Sequence, residues 1–156
     1  MLAQTVSENK SGISLKLTRL IGAPAERVFN AWLDPALMAK WMGPRDRVKD
    51  CKVLMIEPRV GGRYQIQMIG PSCTDSSRGD MIVGGEYREI VPHSRLVFTW
   101  TWEHEGQDTL VSLTFKPVGN QTELTLLHEN FARAESRDSH RHGWDACLDQ
   151  LAQFVG

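Results

Sequence analysis

Cysteine is scarce in this 156-residue chain: Cys51, Cys73 and Cys147 stand far apart, and no two form a C-x-x-C pair. An odd, scattered set excludes the disulfide framework of small secreted domains, and the missing pair excludes a zinc knuckle. Reduced thiols are the expectation. Charge of one sign is equally lacking. The 18 Lys plus Arg against 19 Asp plus Glu leave a net charge of −1, so no overall field draws the molecule to nucleic acid or to an anionic membrane. No apolar run approaches the roughly 18 residues of a membrane span, and "MLAQTVSENKSG" lacks the basic and apolar regions of a secretory leader. A cytoplasmic protein follows, in which the "NQT" sequon at Asn120 is a turn and not a glycan site.

Catalytic signatures are missing too. Gly61-Gly62 has neither the Lys-Ser/Thr ending nor the following helix of a phosphate loop, and reads as a tight turn. There is no H-E-x-x-H, facial triad or Rieske spacing. His140 and His142, two apart on a helix, point roughly 200° away from each other, whereas metal pairs favour i, i+4. Asp138 and His142 are four apart and read as a solvated pair. Cys51 and Cys73 have no neighbouring His to activate a thiolate. Glu86, Glu89, Glu103 and Glu105 flank turns as surface charge, and Arg45, Arg47, Lys49 and Lys52 form a local basic loop. No metal, cofactor or catalytic residue is assigned.

What is present is periodicity. "ISLKLTRLI" alternates like a strand with one covered face. After Gly22, Pro24 opens a short amphipathic helix over Ala25, Val28, Phe29 and Trp32 that runs to about Leu33. Asp34-Pro35 then starts a second helix carrying Leu37, Met38 and Trp41, because Asp caps free amides and Pro lacks one. Strand and turn signals follow from Asp50 to Glu129: "CKVLMIE", "RYQIQMI", a Gly/Pro/Ser/Asp-rich loop over 70–80, "EYREIV", "RLVFTWTW", "TLVSLTF" and "TELTLLHE". Short turns between them predict an antiparallel meander. From about Ala134 a helix begins, polar for two turns and then carrying Trp144, Cys147, Leu148, Leu151 and Phe154 or Val155 at helical spacing. The order predicts a single α+β domain over 1–156, with 1–11 a flexible N-terminal segment.

"LTRLIGAPAERVFNAWLDPALMAKWMGP" resembles the opening of the SRPBCC or START-like superfamily, in the branch named for the activator of heat-shock protein 90 ATPase homologue. The likeness continues through "PRVGGRY", "GGEYREIVPHSRLVFTWTW", "TLVSLTFKPVGNQTELTLLHENF" and "HGWDACLDQLAQFV", in order, from about Ser14 to Val155. It implies the helix-grip fold, as in birch-pollen-allergen-like proteins. There a bent antiparallel sheet wraps a long C-terminal helix, two short helices lie between the first two strands, and an elongated cavity separates sheet from helix.

Within that fold, alternation places Tyr64, Ile66 and Met68 on one inner face with Phe98, Trp100, Leu113, Leu126 and His128. Trp144 and Leu148 oppose them from the helix, and Trp41 is expected at the mouth. These eleven are the candidate ligand-binding residues, for a small, largely hydrophobic molecule. The same aromatic face is also what a filled core requires, and His128 suits either a satisfied core position or a ligand contact. Two other functions stay open: a co-chaperone-like interaction module, with a chaperone or a second copy as partner, and an aromatic-cyclase-like enzyme using the cavity.

Overall fold

The computed structural model describes residues 12–46, 48, 50–70 and 80–156. The expectations for the segment 1–11, for Arg47, Lys49 and Cys73, and for most of the 70–80 loop lie outside them. Strand β1, Ser14–Ile21, leads into helix α1, Ala25–Asn30. Pro24 is the residue before that helix, not its first, and the regular helix ends at Asn30, the chain passing through hydrogen-bonded turns over 31–33 instead of continuing as helix to Leu33. The reason is Asp34, whose carboxylate accepts from the amides of Ala36 (2.9 Å) and Leu37 (3.3 Å) and so opens helix α2, Pro35–Trp41. Such a cap contributes about 1 kcal/mol.

Six further strands are β2 (Asp50–Ile56), β3 (Arg63–Ile69), β4 (Asp80–Val91), β5 (Arg95–Trp102), β6 (Thr109–Val118) and β7 (Gln121–Glu129). They form one sheet in the order β1-β7-β6-β5-β4-β3-β2, every pairing antiparallel. Strands β1 and β2, consecutive in sequence, are its opposite edges. The chain therefore crosses the whole width between them, and α1 and α2 make that crossing.

Strand β4 begins six residues before the "EYREIV" stretch that alternation marks. Gly84-Gly85 hides the earlier half, since glycine carries no pattern, yet the backbone demands it there. A Cβ on Gly85 would lie 2.0 Å from the Thr99 carbonyl oxygen. Thr99 joins three strands at this point: its carbonyl accepts the Tyr64 hydroxyl (2.6 Å), and its own hydroxyl oxygen accepts the Glu86 amide (2.8 Å).

Helix α3, Ala134–Val155, spans about 33 Å and closes the fold. Trp144, Cys147, Leu148, Leu151 and Val155 join the inward residues of the sheet in one core, while Phe154 stays 41% exposed. Its C-terminal half is tied down by polar contacts. Arg19 of β1 bridges Asp145 and Asp149, and the Arg27 guanidinium donates to Val155 O (2.9 Å). Gln150 clamps the exit of α2, donating to the carbonyls of Trp41 (2.7 Å) and Gly43 (2.9 Å) and accepting from the Arg45 amide (3.1 Å).

Candidate ligand cavity

A cavity of about 390 Å³ lies at one end of the groove between sheet and helix. Its apolar wall comes from four places: Met68 near the end of β3, Met81 at the start of β4, Trp100 and Trp102 at the end of β5, and Trp144 and Cys147 on α3. Met42, Pro44 and Val48 complete it from the segment after α2, held there by the Gln150 clamp. Exposed polar and charged residues form the rim: His104, Glu105, Arg133 and Glu135. A deep wall of indoles and thioethers with a polar entrance is the usual build of a small-molecule pocket.

Of the eleven candidates, the structure places Met68, Trp100 and Trp144 on this cavity. Tyr64, Ile66 and Phe98 surround a separate void of only about 10 Å³, shared with Trp32 and Tyr87, and are packed as core. Leu113, Leu126 and Leu148 are fully buried farther along the groove. Trp41 corrects an expectation: it is 0% exposed and does not border the cavity. The Asp34-Pro35 corner folds α2 back, so that the Trp41 indole N–H donates to Ala31 O (3.1 Å) and its ring meets Trp32 edge-on at 4.6 Å. Met42, one residue later, takes the cavity position.

His128 is wholly buried and fully engaged. Its Nδ1 accepts the Trp144 indole N–H (3.0 Å), so the proton sits on Nε2 and is donated to Thr109 Oγ1 (2.7 Å). That hydroxyl in turn donates to Trp100 O (2.7 Å). Protonating Nδ1 would set two N–H groups against each other. Burial, followed by the nearby His140, holds the imidazole pKa well below its ordinary value. The neutral ring is thus a structural link between β7, β6, β5 and α3.

His140, unassigned from sequence, faces the cavity. Its Nε2 accepts from the Trp102 indole (2.9 Å), and its Nδ1 donates to Ser136 O (2.8 Å), fixing the second tautomer. This bond crosses from sheet to helix at the cavity. The missed signal is helical spacing: Ser136, His140, Gly143 and Cys147 extend the Trp144 stripe backwards through turns that look merely polar. His142 also departs from expectation, pairing with Asp46 (2.6 Å) and not with Asp138, which binds Arg137.

Burial also governs the thiols. It pushes Cys147 up to about 12, against a lowering hydrogen bond from the Gly43 backbone, and Cys51 up to about 11. In a Cys73→Ser variant, both thiols are expected to react with a disulfide reagent at pH 8 far more slowly than after unfolding, because both are buried and burial also disfavours the reactive thiolate. Rapid native-state labelling would contradict this. Among the described residues, no group of three His, Cys, Asp or Glu is placed to hold a metal ion, and no helix is long and apolar enough to cross a membrane.

An antiparallel sheet closed by a C-terminal helix, with a cavity left between them, defines a helix-grip protein. The sequence matches Activator of Hsp90 ATPase homolog 1-like protein over residues 22–156, and the chain belongs to that family. The crystal structure of protein CV1439 from Chromobacterium violaceum is 33% identical, with a TM-score of 0.80, over 91% of this chain and 96% of that one. The AHSA1 protein from Silicibacter pomeroyi is 24% identical over 90% of this chain and 96% of its own, with a TM-score of 0.73. A protein from Nitrosomonas europaea shares the fold at 20% identity and a TM-score of 0.72, covering 94% and 96% of the two chains. No curated protein sequence is significantly similar.

Proposed function

We propose that the protein binds a small, largely hydrophobic molecule in the cavity at the end of the groove. The observation that carries this reading is the cavity itself: about 390 Å³ walled by Trp100, Trp102, Trp144 and three methionines, beside a core that is otherwise packed. Each 100 Å² of apolar ligand surface buried there contributes about 2.5 kcal/mol. The rim of Arg133, Glu135, Glu105 and His104 receives the polar end of the ligand. The buried, doubly engaged His128 supports binding over proton transfer at that residue.

Titration with N-phenyl-1-naphthylamine tests this directly. Saturable quenching of tryptophan emission, matched by a one-to-one adduct in native mass spectrometry, is the expected result. Absence of both would overturn the reading. The family's description favours a second reading, an interaction module for a chaperone of the heat-shock protein 90 type. A stoichiometric complex with that chaperone, unaffected by saturating probe, would support it instead.

A further inference from the structure

Gly143 occupies the interior of α3, nine residues after its start, where glycine is the worst residue short of proline. A close approach usually explains such a glycine, but none exists here. A Cβ at this position would meet only Pro44 Cγ, at 3.8 Å, an ordinary contact. Contrast Gly62 and Gly85, where a Cβ would fall 2.2 and 2.0 Å from a carbonyl oxygen. The backbone at Gly143 has no positive φ to require glycine either. Packing and conformation therefore leave the residue unexplained.

Its position supplies the reason. Gly143 lines the cavity, one residue before Trp144 and opposite Pro44. We propose that Gly143 determines the size and shape of the cavity: the missing side chain leaves room for the ligand to lie against the α3 backbone, at the expense of helix stability. The inference rests on the ligand-binding reading above. It makes Gly143 a specificity-determining residue, at which any larger side chain narrows the space between α3 and the segment after α2.

The test compares the wild type with Gly143→Ala and Gly143→Leu, each followed by denaturant unfolding and by titration with N-phenyl-1-naphthylamine. Alanine is expected to lower the unfolding equilibrium constant about five-fold, from helix propensity alone, while weakening the probe. Leucine is expected to weaken the probe at least about ten-fold in a protein that still unfolds cooperatively. A loss of stability in Gly143→Ala would show that glycine serves packing, and the inference would fall. Equal probe affinity in wild type and Gly143→Leu would also overturn it, leaving cavity binding intact. A wild type that binds no probe removes the cavity reading first and this inference with it.

Discussion

Replacing His128 by phenylalanine is expected to cost about 3 kcal/mol at pH 8 and to remove part of the protein's sensitivity to acid. Phenylalanine keeps the ring but leaves the Trp144 indole N–H, now bonded to Nδ1, buried without an acceptor. It also removes the Nε2 proton donated to Thr109. An orphaned buried donor costs about 1–3 kcal/mol and the second lost bond about 1 kcal/mol, so the sum is large for one ring-for-ring exchange.

The pH dependence follows from the lowered pKa of His128. Below about 6.5 the unfolded chain takes up a proton on this imidazole while the folded protein does not, so stability falls as pH drops. Above that value the contribution is fully present. The slope from this one group approaches about 1.4 kcal/mol per pH unit. Denaturant unfolding from pH 8 to pH 5 should show the gap between wild type and variant closing on the acid side. Parallel curves for the two proteins would show that His128 titrates normally in the folded state, and the buried neutral link would be wrong. The groups facing the ring are Thr109, Trp144, Phe131, Trp100 and His140, none of them a carboxylate that could rescue its charge.

The second large effect is expected at Gly85. Alanine there would place its methyl group 2.0 Å from Thr99 O and 2.6 Å from Thr99 Oγ1, in the middle of the sheet where neither strand can retreat. Overpacking costs about 1–3 kcal/mol where side chains can give way, and here the obstacle is backbone, so about 3 kcal/mol or more is expected. At roughly 2–4 °C per kcal/mol for a chain of this size, the melting temperature should drop on the order of 10 °C. Tyr64→Phe, which removes only the hydroxyl donated to Thr99 O, should cost about 1 kcal/mol and serves as the comparison. A Gly85→Ala protein as stable as Tyr64→Phe would mean that β4 and β5 separate easily, against the close approach seen here.

Much of the fold was legible because its elements announce themselves locally. Asp34-Pro35 stops one helix and starts another by amide chemistry within four residues, and the structure has the cap where the sequence puts it. Alternation in β3, β5, β6 and β7 named the inward residues correctly, since a strand has only two faces. The stripe on α3 likewise named its buried side. Strand β4 was half hidden, because Gly84-Gly85 has no side chains from which to read a pattern.

The candidate site was less legible. Periodicity tells which face a residue occupies but not how far along the groove it sits, so Tyr64, Phe98, Leu113 and Leu126 share the cavity's face without touching it. Trp41 could not be oriented from sequence: its indole turns back to Ala31 only because two short helices meet at a particular angle. His128 and His140 show the same limit. Their side-chain partners, Thr109, Trp144 and Trp102, lie between 16 and 38 residues away, and only the register of the sheet under α3 brings them together.

The amino-acid sequence alone determined the order of the elements, the helix corner, the inner and outer faces, and the family. Those depend on neighbours within a few residues or on a pattern running the length of the chain. Tertiary structure decided which inward side chains fill the core and which border a space, because a void is a property of distances between elements and of no residue by itself. The cavity exists where the end of β5, the segment after α2 and the first half of α3 leave space between them, although Trp102–His140 and His142–Asp46 link them at single points.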